Sequence, residues 1–107
     1  MSDLVSKLSQ GTHAVELKLR PESTRQALKE CLERRYVHVR FINTRGGTEL
    51  GFKLDESTAQ AALAGVDDGQ SVIHVSGNLS LDYERIRCVA EINPETFEGT
   101  GRLELLQ

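Results

Sequence analysis

Over residues 71–106, apolar positions alternate with polar ones almost without interruption. Ile73, Val75, Gly77, Leu79 and Leu81 share one parity, and Val72, His74, Ser76, Asn78, Ser80 and Asp82 share the other. A period of two over that length marks strands with one buried and one solvated face. Strands around 85–92 and 101–106 continue the pattern as a meander. Ile86, Cys88, Ala90 and Ile92 face inward on the first, Leu103 and Leu105 on the second. The parity does not slip at Gly77, so the first strand reads as continuous rather than as a hairpin broken at Gly77-Asn78. A glycine on its buried parity implies a bend or the close approach of another element. Asp82-Tyr83-Glu84 supplies the next reversal. Residues 93–97 form a loop with some helical character, from which Phe97 folds back onto the core.

The first half of the chain switches between the two periods. Ser2 is placed to cap a short helix with Leu4, Val5 and Leu8 on one face, stopped by Gly11. Val15, Leu17 and Leu19 then alternate with Glu16, Lys18 and Arg20, as in a strand. An amphipathic helix follows over 22–35, with Ala27, Leu28, Cys31 and Leu32 as its apolar stripe. Its start is either a capping box of Ser23 with Gln26 or a turn opened by Pro21. Arg34 and Arg35 complement the C-terminal end of its dipole.

Residues 36–54 read as a β-hairpin, with Val37, Val39 and Phe41 inward on one arm and Leu50, Phe52 and Leu54 on the other. A loop of Thr44-Arg45-Gly46-Gly47 sets Asn43 opposite Thr48, Phe41 opposite Leu50, Val39 opposite Phe52 and Val37 opposite Leu54. Every inward residue then meets an inward partner. Asp55 caps a second, weaker helix of a turn or two, with Ala59, Ala62, Leu63 and Val66 on one face and Gly65 ending it. The expected fold is α+β: a mostly antiparallel, curved sheet of five to six strands, made of hairpin 36–54 and meander 71–106. Helix 22–35 covers one face, and a short helix leads the chain.

Composition narrows this picture only modestly. The 107 residues suffice for a single domain, and the formal net charge of −3 speaks against a general nucleic-acid coat. No apolar run is long enough to cross a membrane, and the first residues resemble no secretory leader. Cys31 and Cys88 are far apart, belong to no CxxC pair and fall on buried parities, as reduced core residues do. These features favour a cytoplasmic protein.

Candidate chemistry is sparse. His13, His38 and His74 lack the local spacing of a metal site, so neither a metal nor a cofactor is expected. His74 and Cys88 occupy opposite parities of neighbouring strands, which opposes a nucleophilic pair, and no catalytic residue is assigned. Asp55-Glu56 and Asp67-Asp68 sit at a helix start and a turn, where acids have structural roles. Residues 44–48 are a glycine-bearing loop with a cation, better read as a hairpin turn than as an anion nest.

The outer parity of the sheet is richer. It carries Lys18, Arg20, Tyr36, His38, Arg40, Lys53, His74, Arg85, Arg87 and Arg102, interspersed with Glu16, Glu49, Asp82, Glu91 and Glu104. In the expected register Arg40 faces Gly51, leaving room for a planar group to stack, and His38 faces Lys53. Tyr36, His38, Arg40, Lys53, Arg85 and Arg87 are therefore the candidate binding residues, for an anionic ligand or an unknown protein partner. Few exposed aromatics accompany them, which makes RNA a weaker candidate. Ile42, Val72, Val89 and Leu106 also point outward, as in a face covered by the leading helix or by a second subunit of a homodimer. The leading expectation is a small non-enzymatic binding or accessory domain. The alternatives are a ligand-binding or catalytic pocket in a concave sheet at Tyr36, His38 and Arg40, and nucleotide or RNA binding by the basic face.

Overall fold

A computed structural model describes residues 3–19, 22, 24–44, 46–81 and 83–106. The roles expected for Ser2, Arg20, Pro21, Ser23, Arg45 and Asp82 lie outside the described residues. The described elements follow the expected alternation: α1 (Asp3–Leu8), β1 (His13–Lys18), α2 (Arg25–Arg34), β2 (Tyr36–Phe41), β3 (Thr48–Lys53), α3 (Glu56–Asp67), β4 (Ile73–Leu81), β5 (Glu84–Ile92) and β6 (Glu98–Leu105). The strands form one six-stranded antiparallel sheet in the order β3-β2-β1-β6-β5-β4. The fold is α+β. Helix α1 leads it, and α2 buries Ala27, Leu28, Cys31 and Leu32 against the apolar side.

The sheet curves until its two edges almost meet, giving a nearly closed barrel. Asp55 N–H donates to the Ser76 carbonyl across the seam at 3.3 Å. A Cβ on Gly77 would lie 2.1 Å from the Lys53 carbonyl oxygen and 2.8 Å from the Phe52 ring. Gly77 is thus where another strand approaches, and β4 runs unbroken through it. The inward parity of every strand fills the interior, with Val39, Phe41, Val75, Ile86, Cys88 and Ile92 fully buried. Burying one such large aliphatic or aromatic side chain contributes about 1.5–3 kcal/mol.

Several expectations are corrected at the level of local structure. The β2–β3 register is offset by two residues: Val39 pairs with Leu50, Val37 with Phe52 and Phe41 with Thr48. A shift of two preserves both faces, so parity could not detect it. The offset widens the loop to residues 42–47. Ile42 N–H is drawn to Ala14 on β1, and Thr44 Oγ1 meets Thr48 Oγ1 at 2.7 Å. Helix α2 is capped by Thr24, whose hydroxyl accepts from Ala27 N–H at 3.1 Å.

Helix α3 spans 12 residues rather than a turn or two. Gly65 lies inside it against Gln70 and Ile73, and Gly69, with a φ of 73°, follows the stop. Asp55 occupies the N-cap position of α3 but makes no capping bond, because its carboxylate accepts from Arg87 instead. Leu105 is 41 % exposed despite its inward parity, since it lies on the last paired rung of β6. Phe97 packs back on the core as expected, with a φ of 64° and its carbonyl accepting from Leu17 N–H at 2.7 Å.

Candidate binding cleft

Helix α2 passes into β2 without a loop. Arg35 alone makes the switch, in the left-handed conformation (φ 59°), with its N–H bonded to the Cys31 and Leu32 carbonyls. Its own carbonyl accepts from Leu54 N–H at 2.7 Å, which continues the β2–β3 ladder. This tight junction sets Arg34, in the last helical turn, beside Tyr36, the first residue of the strand. On the other side, antiparallel pairing brings Lys18 of β1 opposite His38 of β2. Lys18, Leu19, Cys31, Arg34, Tyr36, Val37 and His38 consequently line a recess of about 190 Å3.

The Tyr36 and His38 rings, two residues apart on one face, meet edge to face with centroids 5.3 Å apart. Tyr36 stays 45 % exposed. Gly51, opposite His38, provides the space they use: a Cβ there would lie 2.8 Å from the Tyr36 hydroxyl and 3.0 Å from the His38 ring. The room expected over Gly51 is therefore occupied by the protein's own aromatic pair, and Arg40 is opposite Glu49 instead. Because the sheet closes around its apolar face, its outer face is convex. The recess is made by the end of α2 and not by a concave sheet.

The six candidate residues separate into groups. Tyr36 and His38 line the cleft, and Lys53 is the rung partner of Tyr36. Arg40 lies outside it, 3.4 Å from Glu16 and with its guanidinium over Gly47. Arg85 and Arg87 are on β5, separated from β2 by β1 and β6 along the sheet. Arg87 reaches across β4 to Asn78 (3.0 Å), Ser76 (3.0 Å) and the Asp55 carboxylate beyond the seam. The Asp55 acceptor holds the Arg87 guanidinium above its ordinary pKa. Other outer-face basic residues also have acidic neighbours: Lys18 is 3.6 Å from Glu16, His74 is 3.8 Å from Glu91 and Arg102 is 2.8 Å from Glu104.

Arg34 was absent from the sequence-derived set. The sequence reads it as a cation complementing the C-terminal end of the helix dipole, and the abrupt helix-to-strand switch at Arg35 brings it to the same recess as Tyr36. Cys31 also contributes to the wall, but it is buried and its Sγ donates to the Leu28 carbonyl at 3.1 Å. Burial pushes its thiol up to about 11 and that of Cys88 up to about 12. A thiolate is the nucleophilic form, so neither cysteine is poised for attack near neutral pH. Among the described residues, no three His, Cys, Asp or Glu side chains converge as a metal site would require. No family model matches the chain, and a search of curated proteins finds no significant relative.

Proposed function

We propose that the protein is a small, non-enzymatic binding domain that recognises an anionic group of its partner at the Tyr36–His38 cleft. The observation behind this is the convergence of Lys18, Arg34, Tyr36 and His38 on one recess with no carboxylate among its described lining residues. Lysine and arginine supply charge, while the tyrosine hydroxyl and the imidazole supply directional hydrogen bonds. Glu16 lies near Lys18 but also near Arg40, so one carboxylate serves two cations and leaves the cleft with a positive balance. A binding role suits the high thiol pKa of Cys31, which lacks the activation that covalent chemistry needs. The two free, buried thiols accord with a reducing, cytoplasmic setting. Binding of RNA along the whole outer face is less favoured, because its cations are distributed among neighbouring acids.

The test is a titration of 15N-labelled protein with inorganic phosphate, followed by amide chemical shifts. Saturable shifts should cluster at Lys18, Arg34, Tyr36 and His38 and shrink as salt is raised. Lys18→Glu with Arg34→Glu should weaken the response about tenfold or more, whereas Arg102→Glu should leave it intact. Shifts scattered over all cationic side chains, or an unchanged response in the double variant, would overturn the assignment.

A further inference from the structure

The outer edge of β4 beside α3 lies apart from the cleft. Its polarity follows from backbone directions. Leu106 N–H donates to the Arg85 carbonyl at 3.0 Å, so Arg85, Arg87, Val89 and Glu91 turn their main-chain groups toward β6. Ile86, Cys88, Ala90 and Ile92 then turn theirs toward β4, where they face Leu79, Gly77, Val75 and Ile73. The intervening residues of β4 direct N–H and C=O away from the sheet. Ser76 confirms the direction, since its carbonyl accepts from Asp55 N–H. One step earlier, His74 points the same way, and among the described residues no group takes its amide or its carbonyl.

A groove of about 310 Å3 lies along this part of the edge. Ser57, Thr58, Ala61 and Ala62 of α3 form one wall, and Val72, Ile73, His74 and Ser76 form the other. The helical wall is built of small side chains, and Thr58 Oγ1 meets Ser76 Oγ of the opposite wall at 3.3 Å. Exposed edges are normally guarded by lysine, proline or a bulge, which discourage pairing with another chain. The run Val72-Ile73-His74-Val75-Ser76 has neither lysine nor proline, and Val72 is 43 % exposed.

The outward N–H and C=O of His74, next to a groove for alternate side chains, match one ligand chemistry: the backbone of an extended peptide. We propose that a segment of a partner polypeptide adds to β4 as an extra strand at His74, seating β-branched or small apolar side chains against Ala61 and Thr58. The site ends where Asp55 takes the Ser76 carbonyl and the Lys53 carbonyl closes on Gly77. That closure confines the outward main-chain groups to a stretch around His74, shorter than the full edge that a second copy's sheet would pair with.

The experiment starts from peptides selected out of a random dodecapeptide phage library on the intact protein. Selected peptides should slow hydrogen exchange of the His74 amide about tenfold or more. N-methylation of alternate peptide amides should abolish binding, because it removes main-chain donors and leaves side chains intact. Ala61→Trp should weaken binding about tenfold or more; Ala61 is exposed, so the indole fills the groove without entering the core. Selection of peptides equally well by Ala61→Trp, or binding that leaves His74 exchange unchanged, overturns the proposal. So does a concentration-dependent dimer, measured by sedimentation without peptide, in which the His74 amide is already protected. The outcome does not depend on Lys18 or Arg34, so failure here and failure of the cleft assignment are distinguishable.

Discussion

Gly77 has a peptide carbonyl where any other residue would have a side chain. The obstruction is main chain, at 2.1 Å, so nothing flexible can turn aside. Gly77→Ala is expected to cost about 2 kcal/mol or more, within or above the range for overpacking. Gly11→Ala is the contrast. Gly11 has a φ of 70° but nothing within 4 Å of an added Cβ, so only the left-handed backbone cost of about 1 kcal/mol applies. Urea unfolding of both variants separates steric from conformational cost, and equal losses would refute the close-approach account.

Cys88 makes a different residue-scale prediction. Its folded-state pKa is raised from 9.0 to about 12 by burial, so the folded protein resists losing that proton while the unfolded chain does not. The associated stability is complete below about pH 9 and declines as pH rises toward 12. Cys88→Ala should lose stability at neutral pH through the vacated volume, yet show a shallower decline over that alkaline window. Parallel slopes of unfolding free energy against pH in the two proteins would contradict this.

At the scale of elements, the two longer helices are started by different devices. Thr24 caps α2 with its hydroxyl, whereas Asp55 occupies the equivalent place on α3 and spends its carboxylate on Arg87. Thr24→Ala should therefore cost about 1 kcal/mol of stability through the lost cap. Asp55→Ala should act through Arg87. A double-mutant cycle of Asp55→Ala and Arg87→Ala should give a coupling of about 1 kcal/mol, since both side chains are partly exposed and solvent screens the pair. A cycle with no coupling, and an equal loss from Asp55→Ala in the Arg87→Ala background, would mean that Asp55 serves α3 alone. The sequence marks the Asp55 cap by residue type, but it points to Ser23 or Pro21 rather than Thr24 at the start of α2. It does not reveal that one carboxylate is claimed by a guanidinium 32 residues away.

On the scale of the whole molecule, closure of the barrel explains the distribution of candidate residues. A flat sheet would have put Arg40, Arg85 and Arg87 on one plane with Tyr36 and His38, as parity alone suggests. Curvature sends β2 and β5 in different directions, so the supposed basic face becomes separate local sites. Arg87 becomes a strap that carries charge from β5, across β4, to the β3–α3 junction. The seam it spans has main-chain bonding at Asp55–Ser76, while just beyond it no described residue takes the main-chain groups of His74. The cleft and the edge groove both arise where a helix ends or runs beside a strand, which are places that a period of two does not describe.

What the amino-acid sequence determines by itself is which residues face the core. Side-chain direction alternates along a strand and recurs every three to four residues on a helix, and both are properties of the local backbone. Hence the order of elements, the unbroken β4, the stripe of α2 and the buried thiols were legible. The two-residue register of β2–β3 was not, because both registers bury the same side chains and differ in non-local and loop contacts such as Ile42 with Ala14 and Thr44 with Thr48. Strand order, the approach of Lys53 to Gly77 and the pairing of Arg34 with Tyr36 around one recess depend on contacts between distant segments. Those are decided by how a curved sheet and its helices fill a common volume, and so they belong to the tertiary structure alone.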